Sequence, residues 1–148
     1  MTPAPRGDGI VGLNLRTGVI ELPSEYDELT PGHEFPPVHY ALEQPEVDQY
    51  IQAVGAERRG HVPPLAVAAR AIASLGELIA LPPGTIHVSQ EFEYAQLVAA
   101  GSHVTCIAKV HRKLTRGSMR MLTLELSIVD EAGAEVQKGR STIVLPEA

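Results

Sequence analysis

Residues 61–83 read HVPPLAVAARAIASLGELIALPP, and from Leu65 to Ala80 the clearly polar side chains are Arg70, Ser74 and Glu77 alone. Spaced i, i+4 and i+7, these three fall on one narrow stripe of a helix. A surface helix of a globular domain has the opposite balance, with an apolar stripe inward and a broad polar face outward. The pattern therefore calls for a cover around most of the helix, either a lipid bilayer or a sheet of the chain itself. A bilayer requires roughly 20 apolar residues free of charge. Here prolines bracket a shorter run that holds an arginine and a glutamate. The expectation is a core helix over about 64–80, with a sheet to wrap it.

That sheet is legible downstream, where the apolar period changes to two after Pro82-Pro83-Gly84. In TIHVSQEFEYAQLV, alternation puts Ile86, Val88, Phe92 and Tyr94 on one face and His87, Ser89, Glu91 and Glu93 on the other. In HVTCIAKVHRKL it points Val104, Cys106, Ala108 and Val110 inward, and His103, Thr105, Lys109, His111 and Lys113 outward. MRMLTLELSIV aligns Leu122, Leu124, Leu126 and Ile128, and AEVQKGRSTIVLP supplies a fourth segment that is less hydrophobic until Ile143. The connections AAGS, TRGS and DEAG are short and rich in turn formers, so consecutive strands pair antiparallel. One further strand from GHEFPPVHYAL brings the count to about five. Ahead of the apolar helix, QPEVDQYIQAVG places Val47, Tyr50, Ile51 and Val54 on one face, with Pro45 in the first turn and Gly55 at the end. This is an ordinary amphipathic helix.

The class is therefore α+β, a curved antiparallel sheet around a central helix. A length of 148 residues suits one domain, drawn here as residues 33–148, with residues 1–32 as an extension. Within that extension GLNLRTGVIEL reads as an extra hairpin turning at Gly18 or as an arm lying on a neighbour. A formal net charge of -6 argues against a nucleic-acid binder that relies on whole-molecule electrostatics. The single cysteine, Cys106, cannot form an intramolecular disulfide and fits a reducing compartment. MTPAPRGDG lacks a basic start followed by an apolar run, so a cytoplasmic protein without membrane association is expected. His33, His39, His87, His103 and His111 show no metal-ligand spacing, and neither metal nor cofactor is expected.

The order of amphipathic helix, VPPL loop, buried helix and four strands resembles the MaoC-like branch of the hot-dog proteins. The likeness spans about 33–146 and rests on VDQYIQAVG, VPPL, HVSQEFEYAQLVAAGSHV and DEAGAEVQKGRSTIVLP. Within that branch it is similar to the group containing the non-catalytic subunit of the mycobacterial fatty-acid dehydratase. The resemblance implies acyl thioesters of coenzyme A or acyl carrier protein as ligands. A sheet edge left open implies a dimer, and the resemblance implies that it is a homodimer or a heterodimer with a catalytic paralogue.

Active relatives carry G-D-x-N-P-[IL]-H after the amphipathic helix, and the matching stretch here is GAERRGH. Gly55 and His61 fit, but Ala56 stands at the aspartate, and Arg58 and Arg59 at the asparagine and proline. Hydration of a 2-enoyl thioester needs a base for water, an acid for the α-carbon and donors for the enolate-like oxygen. Without the aspartate, the candidate catalytic pair is His61 with Glu57. The third requirement falls to the N-terminus of the buried helix around Pro64, where the amides of Leu65 and Ala66 are the candidate donors, since proline has none. Lys113 and Arg116, with Lys109, Arg112 and Arg120 on the hairpin around Gly117, are candidate anchors for phosphate. Three functions stay open: a thioester-binding subunit inactive or weakly active alone, a self-sufficient enoyl-CoA hydratase, and a hot-dog thioesterase or acyl-CoA sensor.

Overall fold

The computed structural model describes residues 13–14, 19–20 and 23–147. Its main body is a five-stranded antiparallel sheet carrying two helices. The strands are β3 (Val38–Ala41), β4 (Ile86–Tyr94), β5 (His103–Arg116), β6 (Met119–Asp130) and β7 (Glu135–Leu145), in the order β3-β5-β6-β7-β4. β5, β6 and β7 are consecutive hairpins, as their short turns require. Ahead of them, β1 (Leu13–Asn14) and β2 (Val19–Ile20) pair antiparallel, while the turn at Gly18 lies outside the described residues. Tyr26 and Leu29, on the N-terminal side of the boundary drawn at 33, are core residues at 3% and 1% exposure.

Helix α1 (Gln44–Val54) starts with Pro45 in its first turn, and Gly55 ends it in the left-handed conformation at φ 67°. Its stripe is only partly used: Val47 is buried, Ile51 packs against the core, and Val54 is exposed. Helix α2 (Pro64–Leu78) is the apolar element foreseen from its composition. It is entered through Pro63 and left through extended Ile79. Val67, Ala71, Leu75 and Leu78 face the sheet, against Cys106, Ala108, Leu124, Leu126 and Ile128 in one core.

Three expectations are corrected. The sheet covers one side of α2, not most of its circumference: Leu65 is 62% exposed, and Ala69, Ala73 and Gly76 are exposed with it. The polar stripe also divides. Ser74 is buried and donates to the Ala71 carbonyl at 2.6 Å, Arg70 stacks 4.1 Å over the Tyr40 ring, and only Glu77 faces water. A short hydroxyl can satisfy itself on its own helix, which is why a serine survives on the sheet-facing side.

The third correction comes from β-bulges, each of which shifts strand alternation by one residue. One between Val110 and Arg112 sets Lys113 opposite buried Leu122, on the inner side of β5. Another between His87 and Ser89 sets His87 opposite Ile143, so His87 shares the helix-facing side with Phe92 and Tyr94 while Ile86 is on the other. Among the described residues, no helix is long and apolar enough to cross a membrane.

Candidate functional site

The α2 N-terminus is where the chain concentrates unused polar capacity. Pro63 and Pro64 have no N–H, and the Pro63 carbonyl accepts from Ala66 at 2.9 Å and Val67 at 3.2 Å. Ala66 is thereby engaged in the first turn, and Leu65 keeps an amide with no hydrogen-bond partner among the described residues. No side chain caps the helix, and its first turn holds no acidic residue. The positive end of the helix dipole is left uncompensated, as suits an oxygen that gains negative charge.

Two neighbouring elements converge on this end. Val62 donates from its amide to the Val98 carbonyl at 2.8 Å, and Ala95 and Gln96 donate to the Val136 carbonyl at 2.9 and 3.3 Å. The segment 95–98 is thus tied both to the entry of α2 and to β7. On β7 the register shifts between Ile128 and Val129, so the adjacent residues Val136 and Gln137 are both buried. Gln137, 1% exposed, donates from Nε2 to the Pro64 carbonyl at 2.8 Å, while its Oε1 is buried without a partner among the described residues. The carbonyl can only accept, which fixes the orientation of the amide group.

The candidate acid–base pair is not assembled. Arg58 is held by Asp48 at 2.8 Å, and the loop after α1 leaves the Glu57 side chain 86% exposed, its carboxylate 3.6 Å from Arg59. His61 is half-buried, and no hydrogen bond or ion pair joins it to Glu57. The basic hairpin is likewise dispersed. Lys113 donates to the Leu29 carbonyl at 3.0 Å and lies 4.4 Å over the Tyr26 ring, so its charge is occupied inside the fold. Arg120 bonds the Pro146 carbonyl, and Arg116 remains exposed beside the turn.

Residues that alternation did not reveal stand on the inner side of the sheet. His87 Nε2 and Ser141 Oγ are 2.8 Å apart, and Ser141 is fully buried. This pairing exists because of the bulge in β4, so regular alternation could not find it. Gln137 was hidden in the same way by the bulge at Val136. Under α2, burial pushes the Cys106 thiol up from its ordinary pKa, against the opposing influence of the neighbouring Ser74 hydroxyl and the Arg70 charge. Burial raises the Tyr40 phenol strongly too, and its hydroxyl has no partner among the described residues.

A depression of about 690 Å³ lies on the opposite face of the sheet among Glu91, Glu93, Lys109, Glu125, Lys138 and Arg140. Ion pairs cross it, Lys138 to Glu93 at 3.4 Å and Arg140 to Glu125 at 3.3 Å. It is an open, net-acidic surface on the far side from α2 and Gln137, with Glu34 and Glu135 also lining it.

Several solved proteins of this shape are described as hydratases or dehydratases. The unliganded R-hydratase PhaJ1 of Pseudomonas aeruginosa matches with a TM-score of 0.70 and 18% identity, over 83% of this chain and 86% of that one. The HadBC (3R-hydroxyacyl-ACP dehydratase) complex of Mycobacterium tuberculosis matches with a TM-score of 0.65 and 15% identity, over 77% of this chain and 96% of that one. The fold is the hot-dog fold. Further hot-dog neighbours include a MaoC-like dehydratase of Rhodospirillum rubrum, in keeping with the branch expected from the sequence. Identities this low establish shape alone. In sequence, a UPF0336 protein of Clavibacter michiganensis is 28% identical over 127 residues, 72% of this chain and 85% of that protein. No protein-family model matches the chain.

Proposed function

We propose that this hot-dog protein is an acyl-thioester-binding subunit of the hydratase/dehydratase type, inactive or weakly active alone, that needs no cofactor beyond the thioester. One observation carries the reading: an uncapped α2 N-terminus with a free Leu65 amide stands where no acid–base pair is assembled. Such a site can polarise a thioester oxygen, but it has no positioned group to move the protons of hydration. The functions of the hot-dog neighbours support the ligand class by analogy.

The proposed working form is a dimer, with a second copy or with a paralogue that supplies the acid. The bare α2 side (Leu65, Ala69, Ala73, Gly76) and the apolar residues Ile86, Val88 and Tyr94 on edge strand β4 favour such a partner. Two of the neighbours are themselves described as complexes, HadBC and ChsH1-ChsH2.

Incubation with crotonyl-CoA, following loss of the conjugated-thioester absorbance, tests the reading alongside calorimetric binding of butyryl-CoA. Saturable binding with little or no turnover is the expected result. Robust turnover abolished by His61→Ala would overturn it in favour of a self-sufficient hydratase. A second reading, thioester hydrolysis, is favoured by the 2.8 Å contact of Ser141 with His87. Free-thiol release that disappears in Ser141→Ala would establish it.

A further inference from the structure

Gln137 stands where an apolar side chain of similar size would fill the core with no polar atom to satisfy. It is 1% exposed, its Oε1 has no partner among the described residues, and its side chain makes one hydrogen bond, from Nε2 to the Pro64 carbonyl at 2.8 Å. A buried acceptor left unpaired destabilises a fold, so packing does not account for an amide here. The peptide unit that it holds does.

Pro64–Leu65 is a trans peptide, in which the C=O and the N–H point in opposite directions. A grip on the carbonyl from the sheet therefore turns the Leu65 N–H away from Gln137 and out of the core. Among the described residues no other amide of that turn is free: Pro63 and Pro64 have no N–H, and Ala66 and Val67 both donate to the Pro63 carbonyl. No side chain caps the turn, and an uncapped helix end frays. Its anchors come from β7 instead. The Val136 carbonyl holds the segment 95–98 through Ala95 and Gln96, that segment holds the Val62 amide through Val98, and Gln137 holds Pro64. The two adjacent buried residues beside the bulge thus fix the entry of α2 on both sides of Pro63.

The bond also bears on donor strength. The α2 ladder by itself gives the Pro64 carbonyl one donor. A second bond there draws more electron density toward the oxygen, which makes the N–H of the same peptide a stronger donor.

We infer that Gln137 is a positioning residue, which fixes and polarises the Pro64–Leu65 peptide so that the Leu65 N–H donates to the carbonyl oxygen of a bound thioester. This role rests on the thioester-binding reading above. Gln137 touches no ligand, and its effect passes through the backbone.

Two ligands that differ in that oxygen separate the role from packing: butyryl-CoA, and S-butyl-CoA, the thioether without the carbonyl. In calorimetric titration of the full chain, wild type should favour butyryl-CoA roughly tenfold, the worth of one good hydrogen bond. The infrared carbonyl stretch of butyryl-CoA, isotope-labelled at that carbon, should move to lower wavenumber on binding. In Gln137→Met the preference should fall to about twofold or less and the band should return most of the way to its free position. S-butyl-CoA affinity within about twofold of wild type reports that this variant is folded. Gln137→Glu, whose buried carboxyl stays protonated and keeps a donor for Pro64, should restore both readouts. An unchanged preference and band in Gln137→Met, or an equal loss for both ligands, would overturn the inference. Wild type alone supplies a further check: the Gln137 side-chain amide resonance should move with butyryl-CoA and not with S-butyl-CoA, because polarisation through the peptide is mutual. Identical responses to the two ligands would overturn the inference even if neither variant folds. Binding of neither ligand would overturn the thioester reading itself, whereas a wild-type preference that Gln137→Met retains overturns only the role of Gln137.

Discussion

Replacing Gly139 by alanine tests what seats the edge strand. Gly139 lies in β7 opposite Phe92 of β4, and a Cβ there would meet the Glu91 carbonyl oxygen at 2.1 Å and Phe92 Cδ1 at 2.7 Å. The first contact is with main chain, which cannot rotate away as a side chain can. Among the described residues β4 pairs with β7 alone, and of its apolar side chains only Phe92 packs partly against the core. Relief must therefore come from β4 moving off β7. Overpacking costs roughly 1–3 kcal/mol, and a clash with paired backbone belongs at the top of that range, about 3 kcal/mol. For a domain near this size, 1 kcal/mol corresponds to roughly 2–4 °C, so Tm should fall by roughly 6–12 °C. Thermal unfolding followed by circular dichroism measures the fall, and hydrogen exchange should show lost protection in 86–94 before β5 or β6. Gly60→Ala, where a Cβ meets nothing within 4 Å, is the control. A Tm for Gly139→Ala within about 1 °C of wild type, or unchanged exchange in β4, would refute the reasoning.

Further outcomes follow from the same geometry. Cys106 is fully buried and its pKa is raised by that burial, so a thiol reagent at neutral pH should leave it unmodified in the native protein and label it fully in denaturant. Lys113→Met should lower stability by about 1–2 kcal/mol in urea unfolding, through loss of the bond to Leu29 and the contact with Tyr26, with acyl-CoA affinity unchanged. Arg116→Ala should leave stability unchanged, and a weakened dependence of coenzyme A binding on salt would mark Arg116 as a phosphate contact. Asp130 has its pKa lowered, chiefly by the Ala134 amide, against desolvation as the second effect, with Gln96 and the Ala132 amide adding to the lowering. A depressed carboxyl stabilises the fold above its unfolded-state pKa and loses that contribution as pH falls through the folded one. Asp130→Asn should therefore be less stable than wild type at neutral pH, with the gap closing in acid, as pH-dependent unfolding would record.

Most of the architecture was legible because it rests on periodicity. The run of Leu122, Leu124, Leu126 and Ile128 is regular, and all four side chains are buried. The turns through Gly117 and Gly133 are where their residue types require, both glycines having positive φ. The candidate site was legible in part. The prolines before α2 removed two donors in advance, but only backbone geometry distinguishes Ala66, whose amide bonds Pro63, from Leu65, whose amide is free. His61 and Glu57 were paired by proximity in sequence, which says nothing about the direction in which an exposed loop carboxylate points.

The sequence by itself determined the antiparallel strands, their approximate limits and the apolar character of α2, because local alternation and turn chemistry act over a few residues. Only the tertiary structure decided which polar groups meet. Lys113 reached Leu29, His87 reached Ser141 and Gln137 reached Pro64. Each lies beside a register shift of one residue, and such a shift reverses which face of a strand looks inward. Where a shift falls is fixed by how whole strands fit against one another, a long-range property that no short window of residues contains.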